Sequence, residues 1–211
     1  MLQVFCDFDG TITSRDSIVF LTEYFGGGTR YRMDILEGIK AGTITVTEAI
    51  QKELETVKVS WDEARAALEA NITVDPSFPE FVGWCREKGY PLKVVSSGMI
   101  PVVDFFIGDL GLERFAHPVE ISADGWRYRR NRQYDKTVIL AAAKNETPLV
   151  YVGDGTSDVA AIPYADILFA KSYLAEYCES HGVGFRPYTS FEDVRRALVD
   201  LDPSDPNHDG S

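Results

Sequence analysis

The chain predicts an α/β fold in which a parallel sheet is flanked by helices and a small all-helical segment is inserted after the first strand. Three observations predict it. Through the second half, short apolar runs alternate with helix-compatible segments, the pattern of parallel strands joined by crossover helices. The stretch from Ser14 to about Asn71 is helix-compatible throughout. Three of the apolar runs end in acidic and hydroxyl residues, where an open parallel sheet presents its ligand-binding groups.

Taken in order, Leu2 to Cys6 reads as a buried strand that runs into a turn at Asp7-Phe8-Asp9-Gly10-Thr11. Ile18, Phe20, Leu21, Tyr24 and Phe25 then recur at helical spacing until Gly26-Gly27-Gly28 stops the element. Two capping-box patterns, Thr45-x-x-Glu48 and Ser60-x-x-Glu63, open further helices, so the insertion holds about four. Beyond it, Pro79 to Lys88 is helix-like, Leu92 to Val95 strand-like, and Pro101 to Leu110 helix-like with a stop at Gly111. Asp124-Gly125 sits at the centre of a hairpin from Val119 to Arg129. Helix Lys136 to Lys144, strand Leu149 to Val152, helix Asp158 to Pro163, strand Ile167 to Ala170 and a last pair of helices complete the series. The expected organisation is a core of segments 1–13 and 73–200, a helical insertion over 14–72, and a polar, proline-broken tail over 201–211 that composition predicts to be disordered.

Composition narrows the function. With 211 residues, 21 Lys+Arg and 33 Asp+Glu, the formal charge is −12. Binding to nucleic acid draws its affinity from cations that neutralise phosphates, so no nucleic-acid partner is expected. The densest apolar stretch, Val138 to Ala143, is far short of the ~20 residues a bilayer requires. No membrane association is expected. The start, Met1-Leu-Gln-Val-Phe-Cys, has neither a basic region nor a small-residue cleavage site. Cys6, Cys85 and Cys178 are far apart, with no CxxC pair, which suggests a reduced, cytoplasmic protein.

The chemistry lies at the strand ends. Asp7 and Asp9 follow the first strand, Ser96, Ser97 and Gly98 the second, and Asp154, Ser157 and Asp158 a third, with Lys136 opening a helix between the last two. Carboxylates brought together repel. At ~4 Å and an effective dielectric near 20, each like pair costs about 4 kcal/mol, so the group needs a hard divalent cation or a retained proton. Mg²⁺ suits oxygen ligands and commonly bridges carboxylates to a phosphate. An acidic site can therefore take a phosphate ligand.

These residues resemble the four motifs of the haloacid dehalogenase superfamily: DxDGT at Asp7 to Thr11, the hydroxyl motif at Ser96, the lysine at Lys136, and GDGxxD with Asp154 and Asp158. The resemblance implies a Rossmann-like core and a Mg²⁺-dependent phosphatase acting on a small phosphorylated metabolite. Asp7 would be the nucleophile that forms an aspartyl-phosphate, and Asp9 the acid for the leaving alcohol and then the base for water. Asp7, the Asp9 backbone carbonyl and Asp154 would hold the metal, with Asp158 a ligand or an acceptor for its water. Ser96 and Lys136 would bind the transferring phosphoryl group. Asp16, Ser97, Gly98 and Ser157 accompany them as substrate- and phosphate-binding candidates. A phosphotransferase of the same fold, or a catalytically silent metabolite-binding protein, would carry the same pattern.

A helical insertion just after DxD is similar to the cap of the phosphoserine-phosphatase-like branch. Members that act on phosphoserine grip it with a glutamate after the first box and a cap arginine; an ungapped comparison puts Asp16 and Glu53 there. That argues against a substrate carboxylate. Cys6 to Thr13 with Asp16, Gly42 to Glu48, and Phe169 to Leu174 leading to Pro187-Tyr188 resemble more closely the methionine-salvage phosphatases that act on 2-hydroxy-3-keto-5-methylthiopentenyl-1-phosphate. Phosphocholine and phosphoethanolamine phosphatases share the general pattern. Alternation turns Cys6 away from Asp7 as a packing thiol. Arg127, Arg129, Arg130 and Arg132 form a basic cluster that reads as a solvated hairpin face or as a docking surface for an anion.

Overall fold

A computed structural model describes residues 1–145 and 147–201. The tail expected to be disordered lies, from residue 202 on, outside the described residues. The centre of the fold is a six-stranded parallel sheet. Its strands are β1 (Gln3–Cys6), β2 (Leu92–Met99), β3 (Glu113–His117), β6 (Leu149–Gly153), β7 (Ile167–Ala170) and β8 (Arg186–Pro187), in the order β3-β2-β1-β6-β7-β8. A separate antiparallel hairpin pairs β4 (Val119–Glu120) with β5 (Arg127–Tyr128).

Side-chain alternation explains why the central strands are apolar on both faces. Val4 and Cys6 of β1 pack with Val94, Val150 and Val152 on one side of the sheet. Phe5 faces the other way, with Val95, Leu149 and Tyr151. Helix α5 (Phe78–Glu87) and helix α9 (Phe191–Asp200) cover the first face, where Phe78, Phe81 and Phe191 meet with ring centroids 4.7 and 5.2 Å apart. Helices α7 (Lys136–Ala143) and α8 (Ser172–His181) supply Leu140, Leu174 and Cys178 to the second. Helix α6 (Ile100–Ile107) links β2 to β3.

Four helices occupy the insertion: α1 (Ser17–Phe25), α2 (Gly28–Lys40), α3 (Val46–Glu55) and α4 (Trp61–Asn71). Both predicted capping boxes form, with Thr45 and Ser60 each accepting from the third-residue amide while the Glu48 and Glu63 carboxylates return to the cap. The chain enters and leaves the insertion at one place, where Ser14 N–H donates to Thr73 O at 2.8 Å and Thr73 N–H donates to Ser14 Oγ at 3.1 Å. A second attachment lies elsewhere. Trp126 of the hairpin is fully buried, its amide donating to Leu54 O at 3.1 Å and its indole N–H to Val59 O at 2.8 Å.

The structure departs from the sequence expectations in four places. β3 went unrecognised because Glu113 and Arg114 break the apolar pattern; both are answered by neighbours, Lys93 and Asp104 respectively. β8 is only two residues long and too short to carry a period. β2 continues past Val95 through the hydroxyl motif to Met99, with an irregular register against β3 there. The expected helix Asp158 to Pro163 is a 3₁₀ segment over Thr156–Tyr164. Pro163, which has no N–H to donate, lies inside it.

Candidate active site

β1 is the strand on either side of which the chain order reverses, pairing in parallel with β2 and with β6. At such a switch point the crossover helices diverge to opposite faces and leave a crevice beyond the strands' carboxyl ends. Asp7 follows β1, Ser96 to Gly98 close β2, and Asp154 follows β6. All of them line one cavity of about 100 Å³, together with Asp9, Asp16, Ser157 and side chains of the inserted helices.

Lys136, buried at the first turn of α7, organises the floor. Its ammonium lies 2.9 Å from Asp7 Oδ1, donates to Ser157 Oγ at 2.9 Å and also reaches Asp158 Oδ1. Burial works to strip this lysine of its proton, but the Asp158 and Asp7 carboxylates outweigh it and raise its pKa. Asp158 is fully enclosed and its oxygens are fully engaged. Oδ1 accepts from Lys136 and from the Tyr151 hydroxyl at 2.6 Å, and Oδ2 accepts from the amides of Asp154 and Gly155 at 2.9 and 2.8 Å. It therefore holds the β6 loop and the lysine in place. A carboxylate offers about four lone-pair sites, and in this arrangement all of those of Asp158 are taken.

Asp154 accepts from the Thr11 hydroxyl at 2.8 Å, and burial followed by the Asp158 charge pushes its carboxyl up to about 7. Gly10 allows this approach: its φ is +77°, and a Cβ there would stand 2.3 Å from Asp154 Oδ2. Asp7 is raised by burial and by Asp158, with Lys136 opposing. Asp9 is pushed up to about 7 by burial and then by the charge of Asp16, although the Ser17 amide donates to its Oδ1 at 2.8 Å. Gly98 leaves room for it, since a Cβ at Gly98 would stand 2.4 Å from Asp9 Oδ2. Ser96 is buried, and its hydroxyl accepts from the Gly98 amide at 2.9 Å. Asp16 caps α1, accepting from the Val19 amide at 2.9 Å, and also faces the cavity.

Among the described residues, Asp7, Asp154 and Asp158 each bring a carboxylate oxygen within 4.8 Å of the others. This all-oxygen donor set fits a hard divalent cation. The carboxylates of Asp7 and Asp154 are the two with capacity to spare; the side chain of Asp9 is outside the group.

Every sequence-predicted site residue except Lys136 and Asp158 lines this cavity, and Asp158 accepts from the amides of Asp154 and Gly155 in its wall. Lys136 faces the adjoining cavity of about 230 Å³, which shares Val46, Ile50, Ser97, Thr156 and Ser157 with the first. Cys6 is fully buried away from the site, its thiol pushed up by burial. Arg129 and Arg130 of the basic cluster are paired with Glu120 and Asp135 at 2.6 Å each. Sequence reasoning missed Tyr151, an apolar-looking strand residue whose hydroxyl supports Asp158, and Lys171, which donates to Thr11 O at 3.3 Å. It also missed Arg32. The ungapped comparison found no cap arginine, yet α2 brings Arg32 to within 2.9 Å of Glu53. Only the folding of α2 against α3 juxtaposes two residues so far apart in sequence.

The chain gathers carboxylates and a lysine at the switch point of a parallel sheet, and residues 4–162 match the family model described as haloacid dehalogenase-like hydrolase. The chain belongs to that family. It is 33% identical to Pdp3-interacting factor 1 of Schizosaccharomyces pombe, over 95% of this chain and 96% of that one. It is 30% identical to polyol phosphate phosphatase PYP1 of Saccharomyces cerevisiae, covering 92% and 91%. Identity is 28% to a 2-hydroxy-3-keto-5-methylthiopentenyl-1-phosphate phosphatase of Geobacillus kaustophilus, covering 93% and 95%. In fold it is similar to a phosphoserine phosphatase solved as a phospho-aspartyl intermediate analogue, with a TM-score of 0.75, 18% identity, and 93% and 99% of the two chains covered. The chain is a phosphatase of small phosphorylated substrates. No helix among the described residues is long and apolar enough to cross a membrane.

Proposed function

We propose that the chain hydrolyses a small phosphomonoester in two steps through a phosphorylated Asp7. The supporting observation is the ion pair between Asp7 and Lys136, which aims a buried positive charge at the carboxylate that directly follows β1 and faces the cavity. In the first step an Asp7 oxygen forms a bond to phosphorus and the ester P–O bond breaks. Asp9 gives its proton to the departing alcohol. In the second, Asp9 takes a proton from water as the water oxygen bonds to phosphorus and the Asp7 O–P bond breaks. Inorganic phosphate is released and both aspartates return to their starting states. A carboxyl pushed up to about 7 is suited to both roles near neutral pH. Lys136 and Ser96 would hold the non-bridging oxygens. Asp7, Asp154 and the Asp9 carbonyl are the ligands we assign to Mg²⁺, which when bound would supply charge against the developing phosphoryl negative charge. The inserted helices over residues 14–72 would act as the cap that excludes water, on a core of 1–13 and 73–200. With three buried free thiols and no CxxC, a cytoplasmic setting suits the chain.

For the alcohol, the names of relatives offer two readings. The first is a polyol phosphate, as the PYP1 name specifies for that enzyme. The second is the methylthio ketose phosphate of methionine salvage, favoured by the apolar stretch of wall at Ile18, Val19 and Ile39, against which a thioether could pack.

Asp7→Asn is expected to remain folded, with an unchanged circular dichroism spectrum, while Mg²⁺-dependent phosphate release from every ester in a panel of sugar, polyol, choline, amino-acid and methylthio-ketose phosphates stops. Hydrolysis persisting in that variant refutes the phospho-Asp7 route. Matching released phosphate to released alcohol, with and without added acceptor alcohols, separates hydrolysis from transfer.

A further inference from the structure

The cavity that holds Asp7 and Asp9 also carries in its wall a charged pair that the hydrolytic steps do not use. Glu53 of α3 is 4% exposed, and Arg32 of α2 places Nε 2.9 Å from its Oε1. The pair is close but poorly aligned. Arg32 Nε, Arg32 Nη1 and Glu53 Oε1 are all buried, and none of them makes a hydrogen bond. Both residues line the same cavity as Asp7, Asp9 and Asp154. Buried donors and acceptors are almost always hydrogen-bonded, so charged atoms held close without that geometry leave bonding capacity that a ligand group could take up.

Single functional groups differ in how they would meet this pair. A carboxylate would satisfy Arg32 but be repelled by Glu53 and by Asp16, whose charge acts on Glu53. An ammonium would satisfy Glu53 and be repelled by Arg32. An alkyl or thioether end would leave the donors and the acceptor unpaired. A hydroxyl donates to the carboxylate and accepts from the guanidinium at once.

We propose that Arg32 and Glu53 form a specificity-determining pair that reads hydroxyl groups on the leaving alcohol, selecting phosphomonoesters of polyhydroxylated chains over those with apolar, cationic or carboxylate ends. This rests on the phosphatase reading above, and the test keeps the two separable. Binding is measured by calorimetry on Asp7→Asn protein with Mg²⁺, using ribitol 5-phosphate, pentyl phosphate, 5-aminopentyl phosphate and 5-phosphovalerate, which share the phosphate and the chain length. Ribitol 5-phosphate is expected to bind on the order of 100-fold more tightly than pentyl phosphate, because charged-group hydrogen bonds that go unmade leave buried partners behind. Adding Arg32→Lys, which keeps the charge and loses the fork, or Glu53→Gln, which keeps the shape, is expected to bring that ratio to within a few-fold; a thermal melt of each variant checks folding. Equal binding of the two esters overturns the pair, as does a ratio indifferent to both substitutions. So does tighter binding of the amino or carboxylate ester, or no binding of ribitol 5-phosphate at millimolar concentration. If hydroxyl selectivity stands while the unsubstituted protein hydrolyses no phosphomonoester, the phosphatase reading fails and the pair survives.

Discussion

Asp158 is the side chain on which the hydrogen bonds of the site converge. Four donors from three segments converge on its two oxygens: Lys136 and Tyr151 on one, the amides of Asp154 and Gly155 on the other. A carboxamide cannot replace the carboxylate, because whichever way its plane turned, the NH₂ would face donors. Asp158→Asn is expected to lower kcat/KM by at least about 100-fold, since Lys136 and the β6 loop both lose their fixed positions. Tyr151→Phe removes one donor and should cost about 1 kcal/mol of stability with a smaller rate effect. Urea denaturation and steady-state kinetics on the two variants check the contrast. Gly10→Ala is a steric counterpart. The added methyl would meet Asp154 Oδ2 at 2.3 Å on a backbone of positive φ, so Mg²⁺ affinity, read by titration, should fall together with turnover. The reacting residues were legible because each sits at a strand end in a fixed motif. Arg32 was not, because its meaning comes only from the contact with Glu53.

At the scale of elements, local signals read well and long-range ones did not. The capping boxes at Thr45 and Ser60 are complete within four residues each and could be read directly from sequence. Thr45→Ala should destabilise the fold by about 1 kcal/mol, seen as a lowered denaturation midpoint with unchanged slope. β3 was illegible because its first residues are charged, and their partners Lys93 and Asp104 belong to elements further back in the chain. The hairpin was found from Asp124-Gly125, but its purpose was not. Read alone, it is an arginine-rich surface turn. Folded, it sends Trp126 between the inserted helices and the core, while Tyr128 donates to Ser97 O at 2.8 Å beside the site. Trp126→Ala removes the largest fully buried side chain among the described residues and should cost about 3–5 kcal/mol, measured by chemical denaturation.

For the molecule as a whole, the acidic excess becomes a statement about pH. Asp9, Asp154 and Glu53 are each pushed up to about 7, in every case first by burial. Between the ordinary carboxyl range and pH 7 the folded, metal-free chain thus holds protons that the unfolded chain has released. These three groups are expected to favour the folded state most at the acid end of this window and less as pH rises through 7. A thermal-melt series in chelator from pH 5 to 8 should show that decline, and added Mg²⁺ should raise the melting temperature more at pH 8 than at pH 5, because metal and protons compete for the same oxygens. An equal shift at both ends would place the cation elsewhere. The double attachment of the inserted helices bears on what can reach this chemistry. They are tied at the Ser14–Thr73 crossing and again by Trp126 to Leu54 and Val59, so swinging them aside as one body would break the hydrogen bonds of the second tie. With both ties kept, substrate is expected to thread between them rather than dock onto an open face. A phosphorylated side chain on a folded protein is too broadly shouldered to do so, and phosphoproteins should survive incubation with this enzyme intact.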